Sequence, residues 1–154
     1  MVNSLINPTV PAEIVFNLID VYWKTENVAR PKIVQREAVG ELREEIPESG
    51  LVLIYAETGG IRQVPRGNRM YKDEIVNVNI ECHTLRSHEH LYALFEEVLR
   101  ICELNTRNVS PYHLIKPMTA QEEYGSTFQY WKGNVRVELN RSAVRTAYNG
   151  PSCV

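Results

Sequence analysis

The stretch that decides the fold is residues 74–102, EIVNVNIECHTLRSHEHLYALFEEVLRIC. Its first part alternates strictly. Val76, Val78, Ile80 and Cys82 point one way, and Asn77, Asn79, Glu81 and His83 point the other. That period of two predicts a strand over Glu74–His83 with one face on a core and one face polar. The period then changes. Leu91, Leu94, Phe95, Val98 and Cys102 recur at helical spacing, which predicts an amphipathic helix over Ser87–Cys102 with one apolar stripe. Ser87 suits the N-cap and Glu89 the positive end of the helix dipole. Asn105–Asn108 is where this helix is expected to end.

Working outward, Pro11 opens a first helix, in which Ile14, Val15, Leu18, Ile19 and Tyr22 form an apolar stripe ending around Trp23–Thr25. Ile33 and Val34 suit a short strand. Leu51–Tyr55 is a continuous apolar run between turn signals and reads as a buried strand. Thr58-Gly59-Gly60 reads as a turn, and Ile61–Tyr71 as a second hairpin arm or a long loop, with Pro65 and Gly67-Asn68 favouring the extended loop. Beyond the second helix, Tyr112–Ile115 suits a short strand, Met118–Gly125 a loop, and Thr127–Leu139 a long β segment. Gly133 marks a bulge, bend or turn within that segment. The expected fold is α+β in the order α–β–β–α–β–β. Its sheet is mainly antiparallel, with two amphipathic helices packed on one face. The 154 residues make one domain, with flexible ends over about 1–8 and 146–154.

Composition narrows the function. The net charge of −2 argues against a surface that grips nucleic acid all round, though not against a local basic patch. The longest apolar run, Leu51–Ala56, falls far short of the ~18 residues of a membrane span, so no membrane partner is expected. The N-terminus does not read as a signal peptide. With three cysteines and no such signal, reduced thiols are expected. Cys82 and Cys102 fall on apolar faces and read as small buried hydrophobes.

Candidate chemistry is sparse. Cys82, His83, His88 and His90 are close in sequence, but alternation sends Cys82 and His83 to opposite faces, and His88 and His90 diverge by ~200° around a helix. The segment lacks the spacing of a zinc finger. Asp73, Glu74 and Glu81 lack the lysine that a metal-dependent nuclease would place two residues after Glu81. No nucleophile elbow, Walker loop or dinucleotide fingerprint is present. No catalytic residue, metal site or cofactor is therefore assigned. The acidic run Glu37–Glu48 reads as a solvated surface. The basic segment Arg62, Arg66, Arg69 and Lys72 suits either contact with a nucleic-acid backbone or an acidic protein surface, or a solvated hairpin tip kept soluble by its charge. Opposite patches on one subunit suit a head-to-tail ring.

The strand and helix in VNVNIECHTLRSHEHLYALFEEVLRI, followed by STFQYWKGNVRVELNRSAVR, give the chain a layout over Pro11–Arg145 that resembles the tail terminator and tail-completion proteins of tailed viruses. The resemblance is one of element order, without a signature motif. It implies a non-enzymatic virion component assembled in the host cytoplasm. It implies a homo-oligomeric, typically hexameric ring joining the tail tube to the head-side connector, with packaged DNA passing its lumen. The candidate interface or lumen residues are Arg62, Arg66, Arg69, Lys72, Asn77, Asn79, Glu81 and His83. Two rival readings stand beside it. One is a small nucleic-acid-binding module using the Arg62–Lys72 segment with Phe128, Tyr130 and Trp131. The other is a metal-dependent hydrolase using His88 and His90.

Overall fold

A computed structural model of the chain describes residues 9–36, 44–65, 71–125 and 130–144. Seven elements follow in order: α1 (Thr9–Tyr22), β1 (Lys32–Gln35), β2 (Leu51–Pro65), β3 (Tyr71–Thr84), α2 (His88–Leu104), β4 (Leu114–Gly125) and β5 (Tyr130–Val144). The strands form one sheet in the order β1-β2-β3-β5-β4.

The α+β class stands, but the order differs from expectation. Three strands, not two, separate the helices, and the sheet is mixed because β1 runs parallel to β2. A parallel neighbour needs a crossover rather than a hairpin, and the chain makes one between Gln35 and Leu51. Period-two patterning carries no information about that direction.

Two expected loops are strands. β2 continues past Gly59-Gly60 to Pro65, with a register shift between Ala56 and Ile61 that absorbs the glycines. β4 runs to Gly125, with a shift between Pro117 and Thr119. Pairing partners supply the hydrogen bonds that these polar, weakly patterned segments need to stay extended. Gly133 makes neither turn nor bulge. It pairs in register with Cys82 on one side and Glu122 on the other. Arg66, Arg69, Phe128, Cys153, most of the acidic run and both chain ends lie outside the described residues.

Both helices cover one face of the sheet. Val15, Leu18 and Ile19 of α1, with Leu91, Leu94, Phe95, Val98, Ile101 and Cys102 of α2, pack on Val52, Ile54, Val76, Val78, Ile80, Cys82, Val135, Val137 and Leu139. Apolar burial of this kind stabilises by roughly 25 cal/mol per Å² removed from water. Ser87 caps α2, its Oγ accepting from the His90 amide at 3.1 Å. Gly50, at φ +96°, enters β2 where a Cβ would stand 3.0 Å from Leu94 Cδ1 and 3.3 Å from the His83 carbonyl. Only glycine suits both that conformation and that approach.

A buried carboxylate joins the two helices. Glu97 accepts from the Lys24 amide (2.7 Å), Asn27 Nδ2 (2.9 Å) and Arg100 Nε and Nη2 (2.7 Å each). Arg100 Nη2 also donates to the Tyr22 carbonyl at 2.8 Å. Burial opposes the charge of Glu97, but these donors outweigh it and hold its pKa below the ordinary value.

Candidate functional site

The face of the sheet turned away from the helices is built from the alternate residues of the same strands. Register places Leu51 opposite His83, Leu53 opposite Glu81 and Tyr55 opposite Asn79. On the other side of β3, Lys132 stands opposite His83, Asn134 opposite Glu81 and Arg136 opposite Asn79. Two sets of hydrogen bonds cross the strands. Tyr55 Oη donates to Glu81 Oε2, and His83 Nε2 lies 3.1 Å from Glu81 Oε1. Asn79 Nδ2 donates to Glu57 Oε1 at 3.0 Å, and Asn134 Nδ2 donates to Asn79 Oδ1 at 3.0 Å. Arg136 Nη2 pairs with Glu57 Oε2 at 2.8 Å.

The face is graded. At its Leu51 end it is closed: Leu51 and Leu53 are fully buried and His83 is 1% exposed, with the Tyr130 ring centroid 5.9 Å from its own. Towards Glu57 and Arg136 it opens, their side chains being 24% and 39% exposed. Burial opposes ionisation of Glu81, yet the bonds from His83 and Tyr55 and the charges of His83 and Lys132 overcome it and keep the carboxyl below its ordinary pKa. Burial, with the bond to Glu81, pushes the Tyr55 phenol up. This end therefore favours an ionised carboxyl beside a neutral phenol.

Of the residues singled out in the sequence, Asn79, Glu81 and His83 join this network, while Asn77 stands beside Glu138 on the same face. Arg62 and Lys72 lie on the paired arms of β2 and β3, opposite Ile75 and Pro65. Tyr55, Glu57, Asn134 and Arg136 were missed as partners. The alternation of Val135, Val137 and Leu139 marks Arg136 as facing away from the core, but not which carboxylate it meets.

The hydrolytic constellations do not assemble. Glu74 sits on the helix-covered face, fully buried and paired with Arg141 at 2.8 Å, whereas Glu81 faces the opposite way. His90 is buried with its Nδ1 2.5 Å from Thr84 Oγ1, while the His88 ring lies edge-on to Tyr92, centroids 4.7 Å apart. Among the described residues no group of three His, Cys, Asp or Glu is placed to hold a metal ion. Burial drives both core thiols up, that of Cys102 to about 12, which leaves them poor nucleophiles. Among the described residues, an open cleft of about 490 Å³ lies between Ala29, the Pro47–Ser49 turn and Arg86. Among the described residues no helix is long and apolar enough to cross a membrane. No protein-family model matches the chain, and no curated protein matches it.

Proposed function

We propose that the chain is a non-enzymatic virion structural protein of the tail-terminator or neck type. It forms a homo-oligomeric ring that joins a tail tube to a head-side connector. The observation that carries this reading is the division of the sheet. One face is wholly committed to the helices. The other holds charged and amide side chains already locked to one another across β2, β3 and β5. Such a face is preorganised, and it is polar towards its open end at Glu57 and Arg136. It suits contact with another protein better than enclosure of a small substrate. The element order that resembles tail terminators supports the same reading. So does the basic β2–β3 arm carrying Arg62 and Lys72, which repeated around a ring would make a charged collar.

The mass of the native particle tests it. A closed ring of about six copies is expected from cyclic symmetry, seen as one species by native mass spectrometry and as rings by electron microscopy. A monomer at micromolar concentration overturns the proposal. The alternative is a nucleic-acid-binding module using the basic segment, of which β pairing sets Arg62 and Lys72 on adjacent strands. A salt-dependent shift of single-stranded oligonucleotide, lost in Arg66→Glu with Arg69→Glu, on a monomeric protein would favour that reading instead.

A further inference from the structure

Among the described residues the sheet ends in two edges, and only parts of them are covered. At the β4 edge, the Ile115 amide donates to the Thr106 carbonyl at 2.9 Å, away from β5. Ile115 and Leu139 are thus a pair that exchanges no hydrogen bonds. The alternation along β5 then makes Val137, Val135, Gly133 and Trp131 equivalent, and their partners are Pro117, Ala120, Glu122 and Tyr124. These four turn their backbone groups outward. Pro117 has no N–H to leave unpaired, and the register shift at Met118 bends the strand. Proline and bulges are devices by which proteins blunt an edge. Beyond the shift, Ala120, Glu122 and Tyr124 present N–H and C=O along an edge that no strand covers among the described residues.

The β2 edge is built the same way. The amides of Lys32 and Arg36 donate to the carbonyls of Gly50 and Ile54, so these carbonyls face β1. Carried through the register of β3, the same alternation turns Ile61, Gln63 and Pro65 outward, past the end of β1.

We propose that the outer edge of β4 in one copy pairs with the outer edge of β2 in the next, making one sheet across the subunit boundary. This rests on the ring reading and names its contact. β2 and β4 are antiparallel within the sheet, so a head-to-tail neighbour continues the antiparallel alternation. One register satisfies both edges. Glu122 faces Gln63, Tyr124 faces Ile61, and Ala120 faces Pro65, whose carbonyl still accepts. In that register Glu123 stands directly opposite Arg62, an opposite-charge cross-strand pair. Glu122 lies level with Cys82 and Gln63 level with Glu74, eight positions apart on β3. Each copy is therefore stepped along its neighbour, and the strands lean against the assembly axis as in any closed sheet.

Two differently tagged chains test this, each carrying Cys153→Ser. One carries Glu122→Cys and the other Gln63→Cys, and they are co-expressed and oxidised. The Cα atoms of a hydrogen-bonded pair lie ~5.5 Å apart, within disulfide range. A disulfide joining the two tags supports the proposal. Glu122→Cys chains joined only to each other overturn it in favour of a two-fold contact. A ring of native mass without cross-links overturns the edge contact and leaves the ring standing. A monomeric parent protein overturns both. Glu122→Pro removes one outward N–H and spares the β4–β5 ladder. With an unchanged circular dichroism spectrum it should reduce the native mass to that of one chain; a folded variant still in rings overturns the proposal. If that variant does not fold, the cross-link decides.

Discussion

The two faces of β3 are made by neighbouring residues and behave oppositely. Val78 and Asn79 are adjacent. Val78 is fully buried between Ala56 and Val137 under the helices, whereas Asn79 lies in the polar network between Tyr55 and Arg136. The first face is held by burial, which has no directional requirement and admits a charge only with a partner, as Glu74 has in Arg141. The second is held by hydrogen bonds, each contributing ~0.5–1.5 kcal/mol net, with water ready to replace them where the face opens. Stability resides mainly in one face, and recognition is proposed for the other.

Putting the same charge on both faces should separate them most clearly. Val78→Asp buries a carboxylate without a partner and should cost upwards of ~4 kcal/mol, abolishing cooperative urea unfolding. Asn79→Asp removes the donor to Glu57 and sets two carboxylates together near Arg136. It should cost ~1 kcal/mol and leave the fold intact. Equal losses in the two variants would mean that the polar face is as closed as the apolar one.

Glu97 tests the intermediate case, a buried charge with a full set of donors. Glu97→Ala leaves Arg100, Asn27 and the Lys24 amide without their acceptor, and should cost ~3–5 kcal/mol in equilibrium unfolding. On the open face, Glu57→Ala should cost only ~1 kcal/mol, because Arg136 is partly exposed and is re-solvated. That difference of severalfold between two glutamates in ion pairs depends on burial, which the sequence does not display.

The strand–helix unit at 74–102 was legible because its periodicity is strong over both halves, and the helix-covered face followed from it. Asn79, Glu81 and His83 could likewise be assigned to the other face. Their partners could not. Glu57 and Arg136 meet across 79 positions, and that meeting depends on how β2 and β5 register on β3, which brings both to Asn79. β4 was missed for a related reason. Lys116–Gly125 has little apolar alternation, and it is extended because β5 offers a ladder, not because its own residues demand it. The direction of β1 was illegible because parallel and antiparallel neighbours show the same alternation.

The smallest effect expected concerns pH, at the junction where β3 enters α2. Burial, reinforced by the charge of Arg86, holds His90 below its ordinary pKa of 6.5. Its Nδ1 faces Thr84 Oγ1, which also accepts from the Arg86 amide, and its Cε1 lies 3.4 Å from the point a Gly50 Cβ would occupy. The folded state therefore favours the neutral ring. Above 6.5 neither state is protonated there and the term is flat. As pH falls below 6.5 the unfolded chain takes up the proton first, so stability declines. Glu81 and Glu97, both lowered, add a second decline only below their ordinary value of 4.5. Urea midpoints measured from pH 7.5 to 5 should drop modestly in the parent protein. His90→Gln, which cannot titrate, should flatten that segment and leave the acid limb below 4.5 in place. An unchanged slope in the variant would assign the titration to another histidine. A slope of opposite sign would mean that the folded state stabilises the charged ring, and that the β3–α2 junction is more open than its packing indicates.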